Sequence, residues 1–243
     1  MRSVPIEYQH SGSRFDFGAT LVSGLIRQGS EFSIRRLEKQ DLRQKVFRKK
    51  HKSLIVFVVD ASDSMGQGTI ERMKAAKGAI LGWLLTAYQQ RDQVALVAFR
   101  GQQADILLPP TASVFLAQQR LRQLAVGGAT PLADGLYRAG QLVRIARQKQ
   151  PLLVPLVVVV SDGEANVPMV PGADVESELY SLARILSKEQ LQTMIVDSST
   201  GVRGSALLRN LAKELDGQYQ HVRDLNSGQL FDMIRSEGIV QKK

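Results

Sequence analysis

Three short segments of this 243-residue chain carry side-chain oxygens that could bind one metal ion together. They are Asp60-Ala-Ser-Asp-Ser64, Gly127-Gly-Ala-Thr-Pro131 and Ser161-Asp-Gly163. The candidate ligands are two carboxylates and three hydroxyls, from Asp60, Ser62, Ser64, Thr130 and Asp162. Ligands of this kind suit a hard divalent cation such as Mg²⁺, with Mn²⁺ as a second possibility.

The first and third segments each follow a continuous apolar run, at residues 54–59 and 156–160. Such runs are typical of parallel strands that are buried on both faces. In an open α/β sheet, ligands bind beyond the carboxyl ends of the strands, at the point where strand order reverses. We therefore expect these two strands to be neighbours. Alone, each segment is equally typical of a turn or a helix cap, and their joint position at strand-to-helix junctions favours a site.

From residue 53 onward, apolar strand patterns alternate with helical patterns. This order predicts an α/β fold with a doubly wound, mostly parallel central sheet. Residues 104–108 follow a glycine turn, which predicts a hairpin and one antiparallel edge strand. Helices are predicted at 69–90 and 227–236, among others. A further helix is predicted to begin with Thr130 as its N-cap.

Residues 1–52 form a basic leader before the predicted domain at residues 53–243. Between residues 26 and 52 there are ten Lys or Arg and three acidic residues, a net charge of +7. Local patterns predict an irregular segment at 1–17, a helix at 19–27, a strand at 32–36 and a helical turn or two at 39–47.

The charge of the leader predicts a docking surface for an acidic partner, with a solvated tail as the alternative. The candidate docking residues are Arg43, Lys45, Arg48, Lys49, Lys50 and Lys52. Nucleic acid is not favoured as the partner because no aromatic platform or known motif accompanies the positive charge.

The composition excludes several classes of function. The chain has no cysteine, which rules out disulfides and zinc–thiolate sites. The longest apolar run, at residues 152–160, is too short to span a bilayer, and the first 17 residues lack a signal core. We therefore expect a cytoplasmic protein without a membrane span. A phosphate-binding loop is absent, so the chain is expected not to hydrolyse ATP.

The spacing Asp-x-Ser-x-Ser, followed by a distant Thr and a distant Asp, resembles the metal-ion-dependent adhesion site of von Willebrand factor A (VWA) domains. The segments LIVFVVDASDSMG, GGATPLADGL and VVVVSDGEAN are similar to the carboxyl-terminal domain of the D subunit of magnesium and cobalt chelatases. The leader is similar to the segment that precedes this domain.

The resemblance implies a role for each ligand. Ser62, Ser64 and Thr130 would contact Mg²⁺ directly, while Asp60 and Asp162 would act mostly through water. An acidic side chain from a partner would complete the coordination. The site would then recognise a protein and would have no catalytic residue of its own.

The resemblance also implies a place in an assembly. The chain would be a non-catalytic subunit of an ATP-dependent chelatase, a ligase that inserts Mg²⁺ or Co²⁺ into a tetrapyrrole. Its partners would be an AAA+ ATPase subunit, the large chelatase subunit, or both. The AAA+-like domain and acidic linker of the D subunit are missing from this sequence, so we expect a carboxyl-terminal portion or a separately encoded relative. The alternatives are an adaptor of a MoxR-type AAA+ ATPase in protein-complex maturation and a metal-dependent hydrolase.

Overall fold

The chain folds into two compact units, Met1–Lys50 and His51–Lys243. The computed structural model describes residues 2–5, 14–46, 53–63, 78, 80–84, 92–189, 191–200 and 204–222. Within the described residues, no helix is both long and apolar enough to cross a membrane. The predicted helix at 227–236 lies outside the described residues.

The first unit combines a small antiparallel sheet with one helix. Its elements are β1 (Arg2–Pro5), β2 (Arg14–Phe15), α1 (Phe17–Gln28) and β3 (Arg43–Val46). The sheet order is β1-β3-β2. The prediction of an irregular segment at 1–17 is wrong for the described residues 2–5 and 14–15, because both β1 and β2 pair with a strand far along the chain, while residues 6–13 of that prediction lie outside the described residues.

Two further predictions for the first unit are also wrong. The segment predicted as a strand at 32–36 contains a 3₁₀ turn at Ile34–Arg36. The segment predicted as helical at 39–47 is, over its described residues, a 3₁₀ turn at Lys39–Asp41 followed by β3. The cause is an ion pair between Arg27 and Asp41. The Arg27 guanidinium donates to Asp41 Oδ2 at 2.8 Å and to the Arg36 carbonyl at 2.7 Å. These contacts fold the intervening segment back onto α1.

The second unit is built on a six-stranded sheet. Its strands are β4 (Ser53–Asp60), β5 (Gln93–Arg100), β6 (Gln103–Thr111), β7 (Val154–Ser161), β8 (Gln192–Asp197) and β9 (Gln218–His221). The order is β6-β5-β4-β7-β8-β9. Only β6 runs antiparallel, and it occupies an edge. The predicted doubly wound sheet with one antiparallel edge strand is confirmed.

Helices cover both faces of this sheet. They are α2, described at residues 80–84, α3 (Val114–Arg122), α4 (Leu132–Lys149), α5 (Val175–Ser187) and α6 (Ala206–Glu214). Successive residues of β4 enter opposite layers of the core. Val58 packs in the layer of α4 and α5, while Phe57 packs in the layer of α2, where it stacks on Trp83 at 5.6 Å between ring centroids. Burial on both faces explains the unbroken apolar run of β4.

Candidate metal centre

The candidate site lies where β4 and β7 end. The two strands are parallel neighbours in register, with Val59 opposite Val160. Asp60 and Ser161 therefore end their strands side by side. Asp60 is the first residue of the first segment, and Ser161 is the first residue of the third. Both segments therefore begin at the same edge of the sheet, where ligands are expected to bind in a parallel sheet.

Asp60 is fully buried and accepts three hydrogen bonds. Its Oδ1 accepts from the Ser62 N–H at 3.0 Å and from the Ser62 hydroxyl at 2.6 Å, and its Oδ2 accepts from the Ser161 hydroxyl at 2.6 Å. Burial raises the pKa of Asp60 to about 6. The hydroxyl bonds oppose the rise, and the nearby negative charge of Asp162 adds to it. The ionised carboxylate is therefore costly to hold there without a compensating positive charge.

Ser161 lies at the candidate site but is not among the five predicted ligands. It is fully buried, and its hydroxyl links the first and third segments by donating to Asp60 and accepting from the Gly163 N–H at 3.1 Å. The sequence offered one indication of this role: Ser161 is a hydroxyl residue directly after four valines, at the end of a predicted strand. In the sequence this position is equally typical of an ordinary turn.

The first and second segments are joined through their backbones. The Gly127 N–H donates to the Ala61 carbonyl at 2.8 Å, and the Asp63 N–H donates to the Gly128 carbonyl at 2.9 Å. Gly128 has a φ of 87°, and a Cβ there would lie 3.0 Å from the Gly101 backbone. The site therefore needs glycine at this position for both conformation and space.

The second segment is joined through Thr130 to Asn166, which lies three residues after the third segment. The Thr130 N–H donates to Asn166 Oδ1 at 2.7 Å, and the Asn166 N–H donates to the Thr130 carbonyl at 3.2 Å. The prediction that Thr130 caps α4 is wrong. The helix begins one residue later than predicted, at Leu132, and Pro131 is its N-cap, with no side-chain cap bond. Asn166 is also not among the predicted ligands, and nothing in its local sequence marks it.

The structure gathers most of the candidate ligands but does not describe all of them. Asp60, Ser62, Thr130 and Asp162 are buried at this rim. Ser64 lies outside the described residues, as do Arg48, Lys49, Lys50 and Lys52. The other two docking candidates belong to the first unit. Arg43 donates to the carbonyls of Gln40 and Leu42, and the Lys45 ammonium lies 3.8 Å from Asp16.

The donor set fits a hard divalent cation. The four described candidates offer only oxygen atoms, and a buried carboxylate with a raised pKa gains most from a nearby positive charge. The Ser62 hydroxyl donates its proton to Asp60 Oδ1, so its oxygen would face a metal ion as an acceptor. Asp60 thereby orients a ligand as well as supplying negative charge.

Comparison with known proteins supports the assignment of the second unit to a known fold. Residues 55–164 match the family model of the von Willebrand factor type A domain. The chain is also similar to the vWF domain of the type V pili tip protein Mfa5 from Porphyromonas gingivalis, with a TM-score of 0.62 and 13% identity, covering 81% of this chain and 98% of that one. The second unit of the chain is therefore a von Willebrand factor type A domain.

Curated relatives narrow the type of VWA domain. The Magnesium-chelatase 67 kDa subunit of Heliobacterium mobile is 35% identical over 202 residues, covering 81% of this chain and 30% of that subunit. An uncharacterised protein of Methanocaldococcus jannaschii is 29% identical over 170 residues, covering 70% of this chain and 97% of that protein. The domain is thus of the type found in magnesium-chelatase subunits, and the chain spans about a third of the length of the chelatase relatives.

Proposed function

We propose that the chain is a metal-dependent protein-interaction subunit of a magnesium- or cobalt-chelatase-type complex, acting in the cytoplasm. The observation that carries the proposal is the set of hydrogen bonds around Asp60 that joins the first segment to the second and to the third and that ties Thr130 to Asn166. This set presents buried oxygens at one rim, whereas general-base or nucleophilic catalysis needs a reactive side chain poised towards a substrate. Both oxygens of Asp60 already accept hydrogen bonds from Ser62 and Ser161, so this carboxylate is held by the protein and not directed towards a substrate.

The resemblance to the adhesion site of VWA domains suggests a role for each residue. Ser62, Ser64 and Thr130 would hold Mg²⁺, or Mn²⁺, directly, while Asp60 and Asp162 would act mostly through water. When bound, the metal supplies an open coordination position for an acidic side chain of a partner. The protein residues then orient the hydroxyls and supply negative charge, which offsets the field of the helix amino terminus at α4.

The names of the relatives support the chelatase assignment, but they describe proteins about three times as long. The tetrapyrrole, the AAA+ ATPase partner and the large chelatase subunit therefore belong to the proposal. The chain itself would be non-catalytic, and the ligase activity would belong to the complex.

A second function is favoured by the uncharacterised relative that this chain covers almost completely, at 97% of its length. That protein consists of little beyond the shared region, so the domain occurs without the rest of a chelatase D subunit. We keep an adaptor of a MoxR-type AAA+ ATPase as the alternative. It would use the same metal site and would need no tetrapyrrole.

A binding experiment tests the shared part of both proposals. The purified chain is titrated with its AAA+ ATPase subunit in Mg²⁺ and again in EDTA, beside Asp60→Asn as the matched variant. We expect Mg²⁺ to tighten binding by tenfold or more for wild type and to have no effect on the variant. Equal affinity in Mg²⁺ and EDTA for wild type would overturn the metal bridge. Repeating the titration with the large chelatase subunit separates the chelatase from the adaptor.

The basic residues give an independent test of docking. Reversing Arg48, Lys49 and Lys50 to Glu should slow association, because screening beyond about 8 Å at physiological ionic strength makes such steering sensitive to salt. The defect should shrink as salt rises, while metal affinity stays unchanged. Association of the reversed variant at the wild-type rate in low salt would mean that this segment is only a solvated tail.

A further inference from the structure

The hairpin that joins β5 to β6 reaches the rim of the candidate metal centre. In the pairing of β4 with β5, Asp60 lies opposite Phe99, and Arg100 is the next residue. Neighbouring strands are about 4.8 Å apart, which brings the Arg100 backbone within about 7 Å of that of Asp60. The strand is buried from Val94 to Phe99 and becomes exposed at Arg100. A cation therefore stands at the edge where the predicted ligands gather.

The position of Arg100 is fixed through the residues on either side of it. The Phe99 carbonyl accepts from the Ala61 N–H at 3.0 Å, and the Gly101 N–H donates to the Ala129 carbonyl at 2.8 Å. Ala61 belongs to the first ligand-bearing segment, and Ala129 belongs to the second. The backbone of Arg100 is therefore held between the two segments that carry the predicted hydroxyl ligands.

The far side of the hairpin is fixed to α4. Asp134, in the first turn of that helix, accepts from the Ala104 N–H at 2.7 Å and from the Arg138 guanidinium at 3.3 Å. The turn itself depends on Gly101, whose φ of 65° is a conformation that glycine adopts without strain. It places no demand on the side chain of the preceding residue. The hairpin thus presents Arg100 on a backbone that is hydrogen-bonded on both sides.

Neither packing nor metal binding accounts for an arginine at this position. Among the residues that the structure describes, the Arg100 side chain makes no hydrogen bond or ion pair. It does not serve the metal either, because like charges repel and a cation beside the site lowers its affinity for Mg²⁺. An exposed guanidinium can instead bind a carboxylate through two parallel hydrogen bonds. The chemistry of Arg100 therefore points to an acidic group brought by another molecule.

We infer that Arg100 binds a second carboxylate of the partner segment whose first carboxylate completes the metal site. The inference rests on the proposed function, and the partner is the AAA+ ATPase subunit. The segment recognised is then one with a pair of acidic side chains, one on the metal ion and one on the guanidinium. A segment with a single acid would cover Arg100 without giving it an acceptor, which disfavours binding. Arg100 thereby selects among acidic segments that the metal alone would accept equally.

The test compares Arg100→Gln and Arg100→Lys with wild type in the full chain. The matched control is Lys188→Gln, which removes an exposed cation between the end of α5 and the start of β8, at the opposite edge of the sheet. Association and dissociation rates with the purified AAA+ ATPase subunit are measured in Mg²⁺ and in EDTA. The affinity of each variant for Mn²⁺ alone is measured by titration calorimetry.

We expect Arg100→Gln to bind the subunit at least tenfold more weakly in Mg²⁺, mainly through faster dissociation, because a direct contact acts on the bound state. Arg100→Lys should recover only part of the loss, since an ammonium lacks the planar fork. In EDTA the loss should be smaller, because the metal no longer holds the segment beside Arg100. Mn²⁺ affinity should be unchanged or higher in Arg100→Gln, because a repelling charge has gone. Lys188→Gln should match wild type throughout.

Several outcomes overturn the inference. A loss confined to the association rate, or full recovery by Arg100→Lys, would reduce Arg100 to a steering charge. A fall in Mn²⁺ affinity or a melting temperature lowered by several degrees in Arg100→Gln alone would assign Arg100 to a contact within the chain. Competition by inorganic phosphate that Arg100→Gln abolishes would assign it to a phosphate group.

The fate of the proposed function is read separately. Unchanged binding by Arg100→Gln, while Asp60→Asn loses its Mg²⁺ increment, rejects the role of Arg100 and leaves the proposed function standing. A wild-type chain that does not bind the subunit, or that binds it equally in Mg²⁺ and EDTA, rejects both.

Discussion

The Ser161 hydroxyl donates a 2.6 Å hydrogen bond to Asp60 Oδ2, which joins residues 101 positions apart in the sequence. Both residues are fully buried at the ends of adjacent parallel strands. The bond fixes one carboxylate oxygen, while Ser62 fixes the other. The orientation of the carboxylate at the centre of the candidate site is therefore set by two hydroxyls.

Removing the Ser161 hydroxyl should destabilise the domain. Ser161→Ala leaves a buried carboxylate oxygen without this donor, which costs about 1–3 kcal/mol of unfolding free energy. In an Asp60→Asn background the same change should cost less, because the charge that made the bond strong is gone. Urea unfolding of the two single variants and the double variant measures the coupling. Strictly additive losses would show that the two residues act independently.

Asn166 should affect metal affinity more than stability. Asn166→Ala removes the acceptor for the Thr130 N–H, which frees the loop that carries a predicted ligand. Loss of such an orienting contact weakens metal sites by about tenfold or more. Titration calorimetry with Mn²⁺ measures the change.

Asn166→Asp provides the matched variant because it keeps an acceptor at the same place. It should bind the metal nearly as wild type does. Equal weakening by both substitutions would show that the Asn166 side chain does not act by holding Thr130.

Two glycines separate the effect of crowding from that of backbone conformation. Gly128 and Gly172 both have positive φ, of 87° and 83°. A Cβ at Gly128 meets the Gly101 backbone at 3.0 Å, whereas a Cβ at Gly172 meets nothing within 4 Å. Gly172→Ala should therefore cost only the conformational strain, on the order of 1 kcal/mol, and Gly128→Ala should cost more. Gly128→Ala should also weaken metal binding, and equal costs in thermal unfolding would contradict the role of close packing.

Asp197 should make the stability of the domain depend on pH in the acid range. Burial alone would raise its pKa, but hydrogen bonds from the Tyr219 hydroxyl and from the Ser205 and Ser199 N–H groups outweigh burial and lower it. The folded state therefore favours the charged form. The resulting stabilisation is present at neutral pH. It is lost as the pH falls below the ordinary pKa of Asp, near 3.8, and then through the lowered pKa of Asp197 in the folded state.

The corresponding variant is Asp197→Asn. It should lower the melting temperature at pH 7, by an amount equivalent to about 1–3 kcal/mol, and by much less at pH 3. Tyr219→Phe removes one of the donors and should reproduce part of the effect. A loss that is the same at both pH values would mean that the charge of Asp197 contributes nothing.

The strands and the Asp and Thr candidates of the site could be predicted because each depends on local sequence. A run such as residues 54–59 is apolar throughout, so it can only be a buried strand or a buried helix, and its length favours the strand. The carboxyl ends of parallel strands lie at one edge by geometry. Asp60 and Asp162 could therefore be placed together before any contact was known.

The supporting residues and the first unit were decided by contacts between distant parts of the chain. Ser161 and Asn166 act on partners 101 and 36 positions away, and no local pattern distinguishes them from turn residues. The ion pair of Arg27 with Asp41 replaced the predicted strand at 32–36 by turns. In α1 the sequence determined an amphipathic helix, but contacts such as that of the Thr20 hydroxyl with the Arg43 N–H decided that Val22 and Ile26 stay exposed. Periodicity establishes that a helix has two faces, and only tertiary packing decides which of them is covered.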